Sequence, residues 1–279
     1  MLHDRNGEVT NTFKNMRFQL TLQLINKQFR TLPLNYQYEL SSFIYKTIAK
    51  GSHEYAEWLH ENGFQLGEKQ FRMFTFSNLK IPKKRIDVQK ETIEIESDTI
   101  ILELAFLPER STEEFIKGVF SDRTFSIGNK QTIAEFVVQS IELQVQPSFS
   151  QPIEGRMESP LCITKILENR TTKYIMPDEE EAKELLKNNL LRKYEAFYGK
   201  PFAEDLFFVW ETTSPIKSKL IKIKPNTPQQ TKVRGAICSF RLFTHPELLK
   251  IAYNAGLGEK NSMGFGCVGI EKTENYVKR

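Results

Sequence analysis

The two halves of this chain show the same predicted order of strands and helices, and this order restricts the fold more than any other feature. In the first half, "MRFQLTLQL" (16–24) alternates apolar and polar residues, as a strand with one buried face does. Apolar residues recur at helical spacing over 40–48, and a second short helix, "HEYAEWLHEN", ends at Gly63. The rest of this half is predicted as a strand at 71–77, two strands around a Ser97–Asp98 turn, a helix opening on the capping box Ser111 to Glu114, and a strand at 137–145.

The second half repeats that order. Its predicted elements are a strand near 160–166, a long helix from Pro177 to Gly199, strands at 217–224 and 232–242, a helix at 245–256 and a last strand from Gly264. The segment "QPSFSQPIEG" between the halves contains two prolines and a glycine, which is typical of a linker. Both halves therefore have the β-α-β-β-α-β order of the ferredoxin-like (RRM-like) unit. We predict an α+β protein with two such domains in tandem, over 16–147 and 148–279, after a polar extension over 1–15.

Composition indicates a globular protein with ordinary cores. Of its 279 residues, 39% are hydrophobic and 27% are charged. No apolar run approaches the roughly 18 residues of a membrane span, and the polar N-terminus has no signal-peptide pattern. Cys162, Cys238 and Cys267 are isolated and form no CxxC pair, so we expect buried, reduced thiols. These features predict a cytoplasmic protein without a membrane span.

The distribution of charge is more informative than the net charge of +4. No Asp or Glu occurs from Thr212 to Pro246, although seven cationic residues fall in this stretch: Lys217, Lys219, Lys222, Lys224, Lys232, Arg234 and Arg241. A basic stretch of this length without acids is typical of a surface that binds a polyanion. The alternative is a solvated face that binds nothing.

A glycine-rich segment, "GLGEKNSMGFGCV" (256–268), lies near the end of the chain. Its G-x-G-x5-G-x-G spacing, between a predicted helix and a predicted strand, does not match a dinucleotide fingerprint or a P-loop. A glycine-rich turn can still present backbone N–H groups to a nucleic-acid phosphate. The alternative is a tight connection between helix and strand with no ligand.

Several stretches in order resemble one family, the CRISPR-associated repeat-cleaving endoribonucleases of the Cas6 family. They are "LPLNYQYELSSFIYKTI", "YAEWLHENGF", "FRMFTFSNL", "SPLCITKI", "KYEAFYG" and "GLGEKNSMGFG", and the similarity runs from about Met16 to Ile270. The resemblance implies two ferredoxin-like domains and a metal-independent, cofactor-free cleavage of CRISPR repeat RNA that releases guide RNAs. The products would carry a 5′-hydroxyl and a 2′,3′-cyclic phosphate. It also implies other Cas proteins of an interference complex, and a homodimer, as partners to be considered.

Histidine suits the proton transfers of such a cleavage, since its unperturbed pKa is about 6.5. The chain has four: His3 in the extension, His245 at a predicted helix N-cap, and His53 and His60 on one helix. The last two are seven residues apart, roughly 10 Å along a helix, which is too far to hold one metal ion. No other metal-ligand spacing is present. The family's "LH" motif before a glycine-containing turn implies that His60 is catalytic, whereas a polar residue at a helix end is the alternative.

Two further catalytic positions follow from the resemblance. Tyr45 lies where some family members use a tyrosine, to orient the attacking hydroxyl or the histidine, although a core-facing aromatic fits as well. Arg72 stands before "MFTFS" where members often have a lysine before "LFTFS". A guanidinium grips phosphate but is a poor proton donor, so we assign Arg72 to charge stabilisation, with Lys69 as the backup. The general acid is therefore left unassigned between two alternatives. Either His60 acts first as the base and then as the acid, or water protonates the leaving 5′-oxygen.

RNA binding is assigned to the basic strands and the glycine-rich segment, on the expectation that these strands are adjacent in the second domain. The predicted contacts are Lys69, Lys222, Lys224, Lys232, Arg234, Gly256, Gly258, Lys260, Asn261, Ser262, Gly264 and Gly266. Two rival functions remain: a non-catalytic RNA-binding protein of the same fold, and a nucleotide-binding or metabolic ferredoxin-like enzyme.

Overall fold

A computed structural model describes residues 16–128, 132–150, 152–204, 206–225 and 227–271. The predicted extension over 1–15 lies outside the described residues. In chain order the first half contains β1 (Met16–Leu24), β2 (Thr31–Pro33), α1 (Gln37–Gly51), α2 (His53–Glu61), β3 (Phe64–Leu66), β4 (Lys69–Phe71), β5 (Phe74–Phe76), β6 (Lys84–Asp87), β7 (Thr92–Ile95), β8 (Thr99–Phe106), α3 (Glu109–Ser121), β9 (Thr124–Gly128) and β10 (Ile133–Gln144).

In its described residues the second half has fewer helices and fewer strands than the first. Its elements are β11 (Ile153–Met157), β12 (Thr164–Ile166), β13 (Thr172–Tyr174), α4 (Glu180–Tyr198), β14 (Phe208–Thr212), β15 (Lys217–Ile223), β16 (Thr231–Ile237), β17 (Ser239–Thr244), α5 (Pro246–Ala255), a 3-10 turn (Asn261–Met263) and β18 (Val268–Ile270).

The N-terminal sheet has the ferredoxin-like strand order. Its order is β5-β8-β1-β10-β9 with antiparallel neighbours throughout, so the four strands of the unit lie in the order second, third, first, fourth, and β9 extends the edge. Alternate residues of β1, such as Leu20, are buried together with Leu40 of α1 and Phe115 of α3. One core therefore joins the sheet to its two helices, as the periodicity predicts.

The C-terminal sheet repeats this topology. Its order is β14-β17-β11-β18, again second, third, first, fourth, with antiparallel pairing. Leu190 of α4, Leu249 of α5 and Phe240 of β17 belong to its buried core. The predicted fold class, α+β with tandem ferredoxin-like domains, is confirmed. The boundary at residue 147 stays a prediction.

The predicted strand at 71–77 is wrong as a single element. Met73 has a φ of 54°, in the left-handed region, and this turn separates β4 from β5. Strand β4 pairs with β3 in a short hairpin, whereas β5 joins the main sheet beside β8. Met73 itself packs in the C-terminal core, so a tertiary contact stabilises the break.

Two strand predictions in the second half are also wrong. The first strand of the sheet begins at Ile153, inside the predicted linker, and 164–166 instead pairs with β13. The predicted strands at 217–224 and 232–242 do not both enter the sheet, because β15 and β16 form a separate hairpin and the chain returns to the sheet only with β17. Ile221, Ile223 and Val233 of this hairpin bury against Cys162 and Phe265, which gives it a small core of its own.

Helix ends follow the predicted chemistry only in part. His245 is the N-cap of α5, and its Nδ1 accepts a hydrogen bond from the Glu247 amide at 3.3 Å. Helix α3 begins at Glu109, and the Ser111 hydroxyl is bonded to Tyr55 at 2.6 Å, so the predicted capping box is wrong. The three cysteines are free and buried, as predicted. Within the described ranges, no helix has the length and apolar character needed to cross a membrane.

Candidate active site

His60 lies in the last turn of α2, exposed to solvent and next to the buried Leu59. The Ser52 hydroxyl caps the start of this helix by accepting from the Tyr55 amide at 3.2 Å. The His60 ring meets the edge of the Tyr45 ring, with centroids 5.1 Å apart and planes at 83°. The helix therefore presents its histidine to solvent while one side of the ring is held by a tyrosine from α1.

Arg72 binds the C-terminal end of the helix that carries His60. Its guanidinium donates to the main-chain oxygen of His60, to that of Asn62 at 3.2 Å and to Gln70 Oε1 at 3.1 Å. Gly63 has a φ of 59°, and a Cβ there would lie 2.7 Å from Arg72 Nη1, so glycine permits this close approach. A cation at the last carbonyls of a helix is favoured by the helix dipole.

Tyr45 completes the group of three predicted catalytic residues. It is half-buried in α1, and its ring also contacts Phe74 at 5.4 Å. Burial raises the pKa of the Tyr45 hydroxyl, while the nearby Arg72 charge and hydrogen bonds to Ser262 and Arg72 oppose this rise. The structure thus brings His60, Tyr45 and Arg72 together from three separate elements, and adds Ser262 from the other domain.

The glycine-rich segment packs against the N-terminal domain. Its four glycines are buried with positive φ, and a Cβ at Gly264 would lie 2.9 Å from the Gln37 side chain and 3.0 Å from Phe76. The Ser41 hydroxyl donates to the main-chain oxygen of Ser262 at 2.6 Å, and the Thr75 hydroxyl donates to the main-chain oxygen of Phe265 at 3.2 Å. Gly264 therefore permits close packing against the N-terminal domain, whereas Gly256, Gly258 and Gly266 approach residues of the C-terminal half. Lys260 is the exposed residue of the segment.

Lys193 of α4 is a member of the site that the sequence reasoning missed. Its side chain is buried, and its ammonium donates to the Gly256 oxygen at 2.7 Å, the Gly258 oxygen at 3.0 Å and Asn261 Oδ1 at 2.7 Å. Burial lowers the pKa of Lys193 to about 7, and Glu259 opposes this shift. The sequence did contain one indication of this. Lys193 follows Leu186 and Leu190 at helical spacing, at a position where the helical pattern favours an apolar residue.

A cleft of about 830 Å³ extends from Arg72 between the domains. Cationic side chains from both domains line it: Lys69, Arg72, Lys165, Arg192, Lys260 and the almost fully buried Lys193. Lys69 pairs with Glu259 at 3.0 Å and Lys165 with Glu181 at 2.5 Å, whereas the ion pairs recorded among the described residues do not include Arg72, Arg192 or Lys260. The cleft wall is therefore positively charged next to the candidate catalytic residues.

The predicted basic strands form one face of the β15–β16 hairpin. Lys222 is opposite Lys232 in register, and Leu220 is opposite Arg234, while Ile221, Ile223 and Val233 on the other face are buried. Lys222 pairs with Glu91, and Lys224 lies 5.6 Å from the Tyr38 ring centroid. Lys232 and Arg234 are exposed, so they are the freer cations of this face.

Comparison with known proteins connects this arrangement to one family. Residues 31–142 match the family model described as CRISPR-associated protein Cas6, N-terminal, and residues 144–270 match CRISPR associated protein Cas6, C-terminal. The chain is 32% identical over 258 residues to CRISPR-associated endoribonuclease Cas6 1 of Methanocaldococcus jannaschii, covering 91% of this chain and 92% of that protein. The chain belongs to the Cas6 family. Its match to the Cas6 endoribonuclease of Pyrococcus furiosus is 27% identity, covering 86% of this chain and 84% of that one.

Solved structures give the same family and fold. A structure described as CRISPR associated protein Cas6 is 30% identical and superposes with a TM-score of 0.69 over 92% of this chain and 100% of its own. A Cas6-related protein from Pyrococcus furiosus reaches a TM-score of 0.78 at 24% identity, over 93% of this chain and 100% of its own. In this Cas6 protein, the three candidate catalytic residues lie in the part matched by the N-terminal model. Lys193 and the glycine-rich segment lie in the part matched by the C-terminal model.

Proposed function

We propose that this Cas6 protein is an endoribonuclease that cleaves CRISPR repeat RNA in a precursor transcript, without a metal ion. The observation that carries the proposal is the meeting of His60 with Tyr45 and with Arg72, because Arg72 also lines a cationic cleft between the two domains. Attack by the 2′-hydroxyl on the adjacent phosphate gives a 2′,3′-cyclic phosphate and expels the 5′-oxygen. A family relation and a site suited to proton transfer and phosphate binding both support this reaction.

Each of the three residues has a role that its surroundings support. His60 is exposed and takes the proton of the 2′-hydroxyl, then returns it to the leaving 5′-oxygen unless water does so. Tyr45, with its raised pKa, stays protonated near neutral pH and orients His60 or the attacking hydroxyl as a hydrogen-bond donor. Arg72 offers a cation to the charge that develops on the phosphate.

RNA binding involves the cleft and the hairpin. Lys69, Lys260 and Ser262 lie along the cleft, and Lys222, Lys224, Lys232 and Arg234 lie on the hairpin. Gly256, Gly258, Gly264 and Gly266 contribute by shaping the segment, and Asn261 by holding it, because its side-chain amide donates to the Leu257 and Phe265 oxygens. A homodimer, other Cas partners and a cytoplasmic location stay predictions.

The test uses the protein with precursor RNA containing the repeat from its own source, with EDTA present. We expect cleavage with a 2′,3′-cyclic phosphate and a 5′-hydroxyl at the mapped ends, and no cleavage when the nucleotide before the cut is 2′-deoxy. His60→Ala should slow single-turnover cleavage by about 100-fold or more while RNA binding persists. His53→Ala, which removes an exposed histidine at the other end of the same helix, is the matched control.

The outcomes separate the rival functions. A strict need for Mg²⁺, or cleavage of the 2′-deoxy substrate, would contradict the 2′-hydroxyl mechanism. Binding of the repeat without any cleavage by the wild-type protein would support the non-catalytic RNA-binding protein instead. Normal cleavage by the His60→Ala variant would remove His60 from the mechanism.

A further inference from the structure

Lys193 is a buried cation that binds main chain instead of a carboxylate. It is 2% exposed, and its ammonium has three N–H donors for three acceptors, namely the Gly256 and Gly258 oxygens and Asn261 Oδ1. A neutral amine would have only two N–H groups for these oxygens. The three acceptors therefore favour the charged form and fix its position.

The cost of burying this lysine indicates that its contacts matter. Lysine is almost never fully buried unless it is paired, because its charge loses hydration. Leu186 and Leu190 precede it on the buried face of α4 at helical spacing, so leucine or methionine would fill this position without that cost. The special feature of lysine here is that it ties the glycine-rich segment, more than 60 residues later, to the helix.

A continuous set of contacts connects Lys193 with the candidate catalytic residues. Asn261, which accepts from Lys193, also donates to the Leu257 and Phe265 oxygens and so closes the segment on itself. Ser262 follows directly, and its main-chain oxygen accepts from the Ser41 hydroxyl of α1 at 2.6 Å. Ser41 lies one turn before Tyr45, whose ring lies against His60.

We propose that Lys193 is a positioning residue for RNA cleavage, whose ammonium fixes the glycine-rich segment so that Ser262 holds the turn of α1 before Tyr45, and with it the Tyr45 ring beside His60. This inference rests on the proposed function. Lys193 itself is buried beneath the segment and does not act on the RNA directly. Its loss should therefore affect the rate of the chemical step more than the affinity for RNA.

The first test measures single-turnover cleavage at saturating repeat RNA, and the Kd for a 2′-deoxy repeat, in the variant Lys193→Met. Methionine has a side chain one atom shorter than that of lysine, and it removes the charge. Because misplacement of a reacting group by about 1 Å can cost about 100-fold, we expect cleavage to slow at least tenfold while the Kd changes by less than about threefold. Lys183→Met, at an exposed position of the same helix, should leave both values unchanged. A Lys193→Met protein that cleaves at the wild-type rate would overturn the inference.

Rescue tests whether the ammonium itself is what matters. Lys193→Ala leaves room for a small amine, so ethylammonium chloride should restore cleavage several-fold, whereas potassium chloride at the same ionic strength should not. Equal rates in the two salts, in a folded variant, would reduce Lys193 to a packing role and overturn the inference.

A readout without RNA keeps this inference separate from the proposed function. If the wild-type protein fails to cleave, the proposed function fails, and Lys193 is then judged by amide hydrogen exchange over 256–266. Lys193→Met should exchange faster there than wild type, and unchanged exchange would overturn the inference. If Lys193→Met does not fold, two other variants replace it. Asn261→Ala removes one acceptor of the ammonium, and Lys193→Ala is measured with ethylammonium. Both are judged by the cleavage rate and by hydrogen exchange over 256–266.

Discussion

At the scale of single residues, Arg72 shows how one side chain serves both structure and chemistry. Two of its N–H groups bond the His60 and Asn62 oxygens, and a third bonds Gln70. A guanidinium has five N–H donors, so these three bonds leave donors that can turn toward Tyr45 or a phosphate. No recorded ion pair among the described residues neutralises its charge, so that charge is available to the RNA. The bond to the His60 main-chain oxygen also keeps the Arg72 guanidinium next to His60.

We expect Arg72→Ala to slow single-turnover cleavage by about 100-fold, because it removes the cation at the developing charge. Arg72→Lys keeps the charge but loses the bonds to two main-chain oxygens, so its cleavage rate should lie between those of the wild type and Arg72→Ala. Arg123→Ala is the matched control, since the Arg123 guanidinium also donates to two main-chain oxygens, of Val138 and Gln139. Both alanine variants should lower the melting temperature slightly, but only Arg72→Ala should lose activity. Equal activity in the two would contradict the catalytic role.

The sequence could predict the local chemistry of the site but not its long-range contacts. His60, Tyr45 and Arg72 were predicted because they fall in short stretches that resemble the Cas6 family. The contacts of Lys193 and the bond from Ser41 to Ser262 depend on segments that are distant in sequence and adjacent only after folding. Periodicity predicts that residue 193 is buried, but it does not reveal which oxygens will meet the ammonium.

At the scale of elements, the β15–β16 hairpin shows what the alternation of apolar and polar residues can predict and what it cannot. Alternation predicts one cationic face, and the structure has it, with Lys222, Lys232 and Arg234 on the side opposite the buried Ile221 and Val233. Pairing partners are decided by tertiary packing, so the hairpin's separation from the main sheet was not predicted. The hairpin packs on Phe265 of the glycine-rich segment, and its Lys232 main-chain oxygen accepts from Tyr174, which lines the cleft.

Removal of the two exposed cations of this hairpin should weaken RNA binding without slowing the chemical step. For Lys232→Ala with Arg234→Ala, we expect the slope of log K against log salt to fall by about 1.4, at about 0.7 for each lost single-strand phosphate contact. The rate at saturating RNA should stay at the wild-type value. Lys27→Ala with Lys183→Ala removes the same charge at exposed positions elsewhere and should leave the slope unchanged. An unchanged slope in the hairpin variant would place its cations outside the RNA interface.

At the scale of the whole molecule, a partly buried charge network around Arg17 joins the two domains. Arg17 of β1 pairs with Glu103 of β8 at 2.7 Å, and its guanidinium lies 4.5 Å from the Tyr253 ring centroid of the other domain. Lys80 bonds Glu103 and pairs with Glu158, on the C-terminal side, at 3.4 Å. The candidate catalytic residues and the glycine-rich segment come from different domains, so a fixed interface is a condition for their meeting.

Glu103 is the acid at the centre of this network, and it should make stability depend on pH. Burial alone would raise its pKa, but Arg17 and Lys80 outweigh burial and hold the pKa of Glu103 below its ordinary value. Because the folded pKa is the lower one, the stabilisation is fully present above the ordinary glutamate pKa of about 4.3 and is lost as the pH falls below it.

We therefore expect Glu103→Gln to lower the free energy of unfolding near pH 7 by about 3 kcal/mol, since it leaves Arg17 buried without its partner. The difference from wild type should shrink as the pH falls below about 4, where the wild-type carboxyl also becomes neutral. Urea unfolding at a series of pH values measures both effects, with Glu142→Gln on the exposed side of β10 as the control. A constant difference down to pH 3 would contradict the assignment of this pH dependence to Glu103. Slower cleavage by Glu103→Gln at pH 7, in protein that is still folded, would show that the interface also supports the site.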